Sequence, residues 1–78
     1  SLRFSAEAAR WVSAQNWHPK QRASVEKDGS YLLEIPYAED RELVMEILKF
    51  GPDVEVVEPV ALRRRVKEML KQASERYI

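Results

Sequence analysis

Three groups of side chains in this 78-residue sequence are capable of chemistry, and each sits in its own local context. The first is Trp17-His18-Pro19-Lys20-Gln21. His18 is the only histidine. Beside an indole and a proline it could sense pH or touch a ligand. The plainer reading is that Trp17 closes over a core and His18 satisfies a nearby backbone group. A metal site or a nucleophile–histidine pair lacks its other members, because the chain has no second histidine and no cysteine. The second group is Arg63-Arg64-Arg65. On a helix, Arg63, Lys67 and Lys71 fall at i, i+4 and i+8 with Arg64 beside them, a stripe suited to phosphates or an acidic partner. It reads equally as the solvated face of an amphipathic helix, interrupted by Glu68 and Glu75. The third is a dispersed set of carboxylates, Glu39-Asp40, Glu42, Glu46, Asp53, Glu55 and Glu58. Paired carboxylates do acid–base work only in a pocket that separates their pKa values. These lie near helix starts and on exposed faces, where helix support and solubility explain them. The two glycines, Gly29 and Gly51, both have turn roles, so no phosphate-cradling loop exists. The expectation is a protein that is not an enzyme and holds no cofactor or metal. Its candidate contact residues are Trp17, His18, Gln21, Arg63, Arg64 and Lys67.

The elements that position these residues follow from apolar spacing. Leu2-Arg3-Phe4 alternates as a short strand. Ser5 caps a helix over about residues 6–15, with Glu7 in its first turn, Ala8, Trp11 and Val12 on one face, and Asn16 as its breaker. Pro19 drives His18 out of helical geometry, so a helix-to-strand connector is expected around Trp17. Lys20–Glu26 and Ser30–Tyr37 read as a hairpin. A three-residue loop, Lys27-Asp28-Gly29 with Gly29 left-handed, pairs Val25 with Tyr31, Ala23 with Leu33 and Gln21 with Ile35. It also sets Arg22 against Glu34, and it is preferred to a two-residue turn because it yields one consistent apolar face. Glu39 or Asp40 caps a helix over about 40–50, with Leu43, Val44, Ile47 and Leu48 as its buried stripe. Gly51 and Pro52 stop it. Asp53–Val57 is a strand. Pro59 falls in the first turn of a last helix, about 59–76, along which Leu62, Val66, Met69, Leu70, Ala73 and Tyr77 keep helical period. The order matches a ferredoxin-like βαββαβ antiparallel sheet with an additional C-terminal helix, an α+β fold. That last helix covers the sheet's edge or its other face, or packs on a partner.

Composition narrows the function classes. A single domain of this size buries a small core. Hydrophobic residues make up 45%, which speaks against disorder. Thirteen basic residues balance 13 acidic ones, so the basic excess of a free-standing nucleic-acid binder is missing. No apolar run approaches the roughly 18–20 residues that a membrane span needs. The lack of cysteine favours a cytoplasmic setting. The start on a strand, with no signal peptide, suggests a fragment of a longer protein. Tyr31, Leu33, Ile35 and Tyr37 invite comparison with base-stacking RNA-binding sheets, but the glycine-aromatic signature of those sheets is missing and burial against helices explains them better.

Several stretches together resemble a known family: Leu2-Arg3-Phe4-Ser5 with Ala8-Ala9 and Val12, Trp17-His18-Pro19-Lys20-Gln21, Asp28-Gly29-Ser30, Glu42-Leu43, Ile47-Leu48-Lys49-Phe50-Gly51, Val54-Glu55-Val56-Val57-Glu58-Pro59, Leu62-Arg63 and Tyr77. In order and spacing they are similar to the C-terminal extension domain (WCX) of WYL-domain bacterial transcriptional regulators. Lys20 departs mildly, standing where the family often has serine. The resemblance implies a ferredoxin-like fold and a place after a ligand-sensing WYL barrel and a DNA-binding helix-turn-helix, neither of which is in these residues. It also implies a role in dimer arrangement and regulatory response. The expected function is therefore a regulatory or oligomerisation module that contacts its own WYL domain or a second subunit, the latter as a homodimer. Nucleic acid would be reached through the full-length protein. The alternative is an effector-binding module that takes a nucleotide or single-stranded nucleic acid on the stripe of Arg63, Arg64 and Lys67.

Overall fold

A computed structural model of the chain describes residues 1–36 and 41–77. Ser5 opens the first helix as expected: its backbone is extended and its hydroxyl accepts the Ala8 N–H at 3.1 Å. The elements run β1 (Leu2–Phe4), α1 (Ala6–Val12), β2 (Arg22–Val25), β3 (Tyr31–Glu34), α2 (Arg41–Lys49), β4 (Val54–Val56) and α3 (Val60–Glu75), with a 3-10 turn at Gly51–Asp53 before β4. The strands form one antiparallel sheet in the order β2-β3-β1-β4. This is the α+β, ferredoxin-like arrangement with a C-terminal helix added.

The hairpin adopts the expected register. Arg22 pairs with Glu34, Ala23 with Leu33 and Val25 with Tyr31. Gly29 has φ of 90° and donates its N–H to Glu26 O at 3.0 Å, while Glu26 N–H reaches Ser30 O at 2.8 Å. The left-handed residue therefore closes a three-residue loop, as glycine permits. Gly51, with φ of 54°, ends α2 in the same conformation.

Three expectations about element ends are corrected. Helix α1 stops at Val12 rather than near residue 15, because Ala14 and Gln15 turn their N–H groups to Trp11 O and Val12 O, three residues back. Asn16 is thus not its breaker. Both hairpin strands are shorter than expected, their pairing stopping at Arg22 and Glu34 before Gln21 and Ile35, and the last strand loses Asp53 to the 3-10 turn and Val57 at its other end. Pro59 is the N-cap of α3, not a first-turn residue; with no N–H of its own it costs the helix nothing there, and its carbonyl accepts the Arg63 N–H at 3.1 Å. The expected caps Glu39 and Asp40, and Tyr37, lie outside the described residues.

The core gathers Leu2, Phe4, Tyr31, Leu33 and Val56 from one face of the sheet with Ala8 and Val12 of α1, Val44 and Ile47 of α2, and Leu62 and Val66 of α3. All three helices therefore cover the same face, and α3 lies beside β4 and α2. The opposite face carries Arg3, Arg22, Ser24, Leu32, Glu34 and Glu55 by strand alternation. Tyr31 and Leu33 are buried under the helices, so they form no stacking platform for bases.

Candidate interaction site

The connector from α1 to β2 is built on three aromatic rings. Phe4 and Phe50 meet edge-on at 5.3 Å between centroids, and Trp17 packs against them at 5.7 and 5.9 Å. Gln21 fastens the backbone around Trp17. Its Oε1 accepts the N–H groups of Trp17 (2.7 Å) and His18 (3.2 Å), and its Nε2 donates to Gln15 O (3.3 Å). His18 turns inward as well: its Nδ1 accepts the Lys20 N–H at 3.0 Å, and its carbonyl accepts the Gln21 N–H at 3.0 Å. The polar groups of Trp17-His18-Gln21 thus hold the connector in shape. The exception is the Trp17 indole N–H, which is buried without a hydrogen-bond partner. Trp17 also lines an open depression of about 280 Å³, together with Gln15, Asn16, Glu42, Leu43 and Glu46.

The basic residues of α3 divide. Arg63 folds back onto β4, where its Nη1 donates to Glu55 Oε2 at 2.9 Å and to Val56 O at 3.0 Å. Glu55 is shared across the strand, since Arg3 Nη1 reaches its Oε1 at 3.3 Å while Arg3 Nε holds Glu26 at 2.8 Å. The hydrogen bond from Arg63 holds the Glu55 carboxyl below its ordinary pKa; the charges of Arg63 and Arg3 add to this, and desolvation opposes it. Lys67 borders a groove of about 220 Å³ between α3 and β4, floored by Val54, Val56, Val66 and Leu70. Arg64 is exposed on the next helical position. The connector and the basic helix line separate depressions, so the six candidate residues do not form one site. Among the described residues no cluster of three His, Asp or Glu side chains is placed to hold a metal ion. No helix among them is long and apolar enough to cross a membrane.

What the surface does offer is uncovered apolar side chains. Trp11 on α1 is 61% exposed, Val25 on β2 is 71% exposed, and Leu70 and Tyr77 extend the stripe of Leu62 and Val66 into solvent. Every residue of β2 is exposed. Sequence spacing placed Val25 and Leu70 on apolar faces, yet no described residue covers them; Tyr77, expected to continue the helical period, lies in the turn beyond the end of α3. The two roles it did not reveal are the Gln21 clamp and the reach of Arg63 to a strand carbonyl. The second has a partial signal in the register, because Glu55 lies directly opposite Arg3 and so anchors a basic cluster.

A search of curated proteins gives no match. The model of the WCX domain family matches residues 1–74, nearly the whole length over which strands, hairpin, connector and last helix have been traced, and the chain therefore belongs to the WCX domain family.

Proposed function

We propose that this chain is the regulatory contact module of a WYL-type transcriptional regulator, working through its own WYL domain or a second subunit while a helix-turn-helix elsewhere in the regulator binds DNA. The observation that carries this reading is a contrast. Gln21, His18 and Arg63 are spent on holding the fold, whereas Trp11, Val25, Leu70 and Tyr77 stand in solvent around the packed core. A contiguous apolar surface marks a contact site, and the groove between α3 and β4 lined by Val54, Val56, Val66 and Leu70 is one. On this reading the module is cytoplasmic, catalyses nothing and needs no cofactor. Contact shifts the population of DNA-competent regulator by preferring one arrangement of its subunits. The test is operator binding by the regulator with and without residues 1–74. Removal changes the affinity or abolishes the response to effector; unchanged affinity and response would refute the proposal.

A second reading is favoured by Lys67 and Lys71, for which no ion pair is formed among the described residues. With Arg64 they leave a positive strip on α3 that suits a nucleotide or single-stranded nucleic acid. Salt-dependent binding of an oligonucleotide that Arg64→Glu with Lys67→Glu abolishes would support it.

A further inference from the structure

We propose that the open edge of β2 pairs antiparallel with the same edge of a second copy of this chain, centred on Ser24, so that two four-stranded sheets become one continuous sheet. This rests on the contact-module reading and names its surface and partner.

The geometry of the hairpin decides which groups are available. Glu26 donates its N–H to Ser30 O at 2.8 Å, which fixes Glu26, Ser24 and Arg22 as the residues bonded to β3. The alternate residues, Ala23 and Val25, therefore aim their N–H and C=O groups away from the sheet. Unpaired strand edges are usually blunted by proline, bulges, inward-pointing charge or a covering element. The far edge shows such protection: Arg63 occupies Val56 O, and α3 buries Leu62 and Val66 beside β4. Strand β2 is only four residues long and carries one charge, Arg22, on its outer face; among the described residues it has no proline, no glycine and no covering helix, and its inward-facing side chains, Ala23 and Val25, are uncharged and exposed.

Charge then selects both partner and register. An antiparallel pair centred on Ser24 sets Ala23 opposite Val25 of the second copy, so the outward amides meet and the two apolar side chains cover one another. It also sets Arg22 opposite Glu26 of the second copy, and Glu26 opposite Arg22, on the helix-free face. Parallel pairing would instead place Arg22 beside Arg22 and Glu26 beside Glu26. A slip of two residues would set Val25 against Gln21, or Ala23 against Lys27. Those slips would still set Val25 on Val25 or Ala23 on Ala23, but only the register centred on Ser24 sets Arg22 opposite Glu26 and each apolar residue opposite another. Four residues bury less than the roughly 1,000 Å² of a stable interface, so the contact is weak in the isolated chain. It strengthens where a longer protein already holds two copies together, because the effective concentration then reaches the millimolar range.

The chain has no cysteine, so Ser24→Cys introduces a single thiol. At the proposed two-fold, the Ser24 positions form a non-hydrogen-bonded pair about 4.5 Å apart at Cα, close enough for a disulfide. In a glutathione redox buffer at high protein concentration, S24C should cross-link at least tenfold faster than Lys71→Cys. Adding Val25→Lys, an exposed substitution that spares the fold, should remove that advantage. Equal cross-linking of S24C and K71C, or no effect of Val25→Lys, would overturn the proposal. So would protection of the Ala23 and Val25 amides that does not depend on concentration, because another segment would then occupy the edge. The edge pairing fails alone if cross-linking fails while removal of residues 1–74 still alters operator binding.

Discussion

Replacing Gln21 by alanine tests whether the connector is held by one side chain. The substitution takes the acceptor from two partly buried N–H groups, those of Trp17 and His18, and removes a weaker, exposed donation to Gln15 O. A neutral hydrogen bond contributes roughly 1 kcal/mol net, and a donor left partly buried costs at least that. The third bond, at 3.3 Å and open to water, adds little. The expected loss is therefore about 2 kcal/mol, against a total of about 4–12 kcal/mol for a domain of this length. Gln21→Glu retains carboxylate acceptors for both N–H groups and forfeits only the donation, so it should lose less than about 1 kcal/mol. Urea unfolding followed by tryptophan fluorescence reads both variants, because Trp17 reports on its contacts with Phe4 and Phe50 while Trp11 is already in water. With a urea slope near 1 kcal/mol per molar for so small a domain, the alanine midpoint should fall by about 2 M. A Gln21→Ala midpoint within about 0.5 M of the parent would refute the clamp. So would a glutamate variant as unstable as alanine.

Other consequences are open to the same assay. Gly29→Ala should cost about 1–2 kcal/mol, since φ of 90° suits only glycine and the added Cβ would approach Ala6 Cβ at 3.3 Å; an unchanged midpoint would contradict the hairpin geometry. Glu55 contributes stability that is fully present above its unfolded pKa, roughly 4.3, and is lost as the pH falls through its lower folded value. Because the pair with Arg63 is half exposed, this amounts to less than about 1 kcal/mol, and Glu55→Gln should flatten that part of the acid slope. An acid profile identical in Glu55→Gln and the parent would show that the Arg63 contact adds nothing.

The fold was largely legible because its signals are local. Ser5 announces a helix, Asp28-Gly29 a hairpin with one self-consistent register, and Gly51-Pro52 a helix stop. Less legible were the ends of elements and the jobs of polar residues, which depend on distant partners. Helix α1 shortens because the Ala14 and Gln15 N–H groups turn to carbonyls three residues back, a tightening that apolar spacing does not mark. Arg63 looked like part of a ligand stripe, but strand β4 brings Glu55 and a strand carbonyl within its reach. Val25 illustrates a further limit: alternation gives the face on which a side chain lies, whereas its exposure depends on whether a helix reaches the outermost strand. The exposed apolar side chains on which the proposed contacts rest are visible only at that level.

On the proposed reading this domain works by being touched, with β2 as its open edge. Amide hydrogen exchange at Ala23 and Val25, compared between the dilute isolated chain and the regulator that carries it, tests this most directly. Fast exchange in the chain and strong protection in the regulator is the expected result; equally fast exchange in both would contradict it.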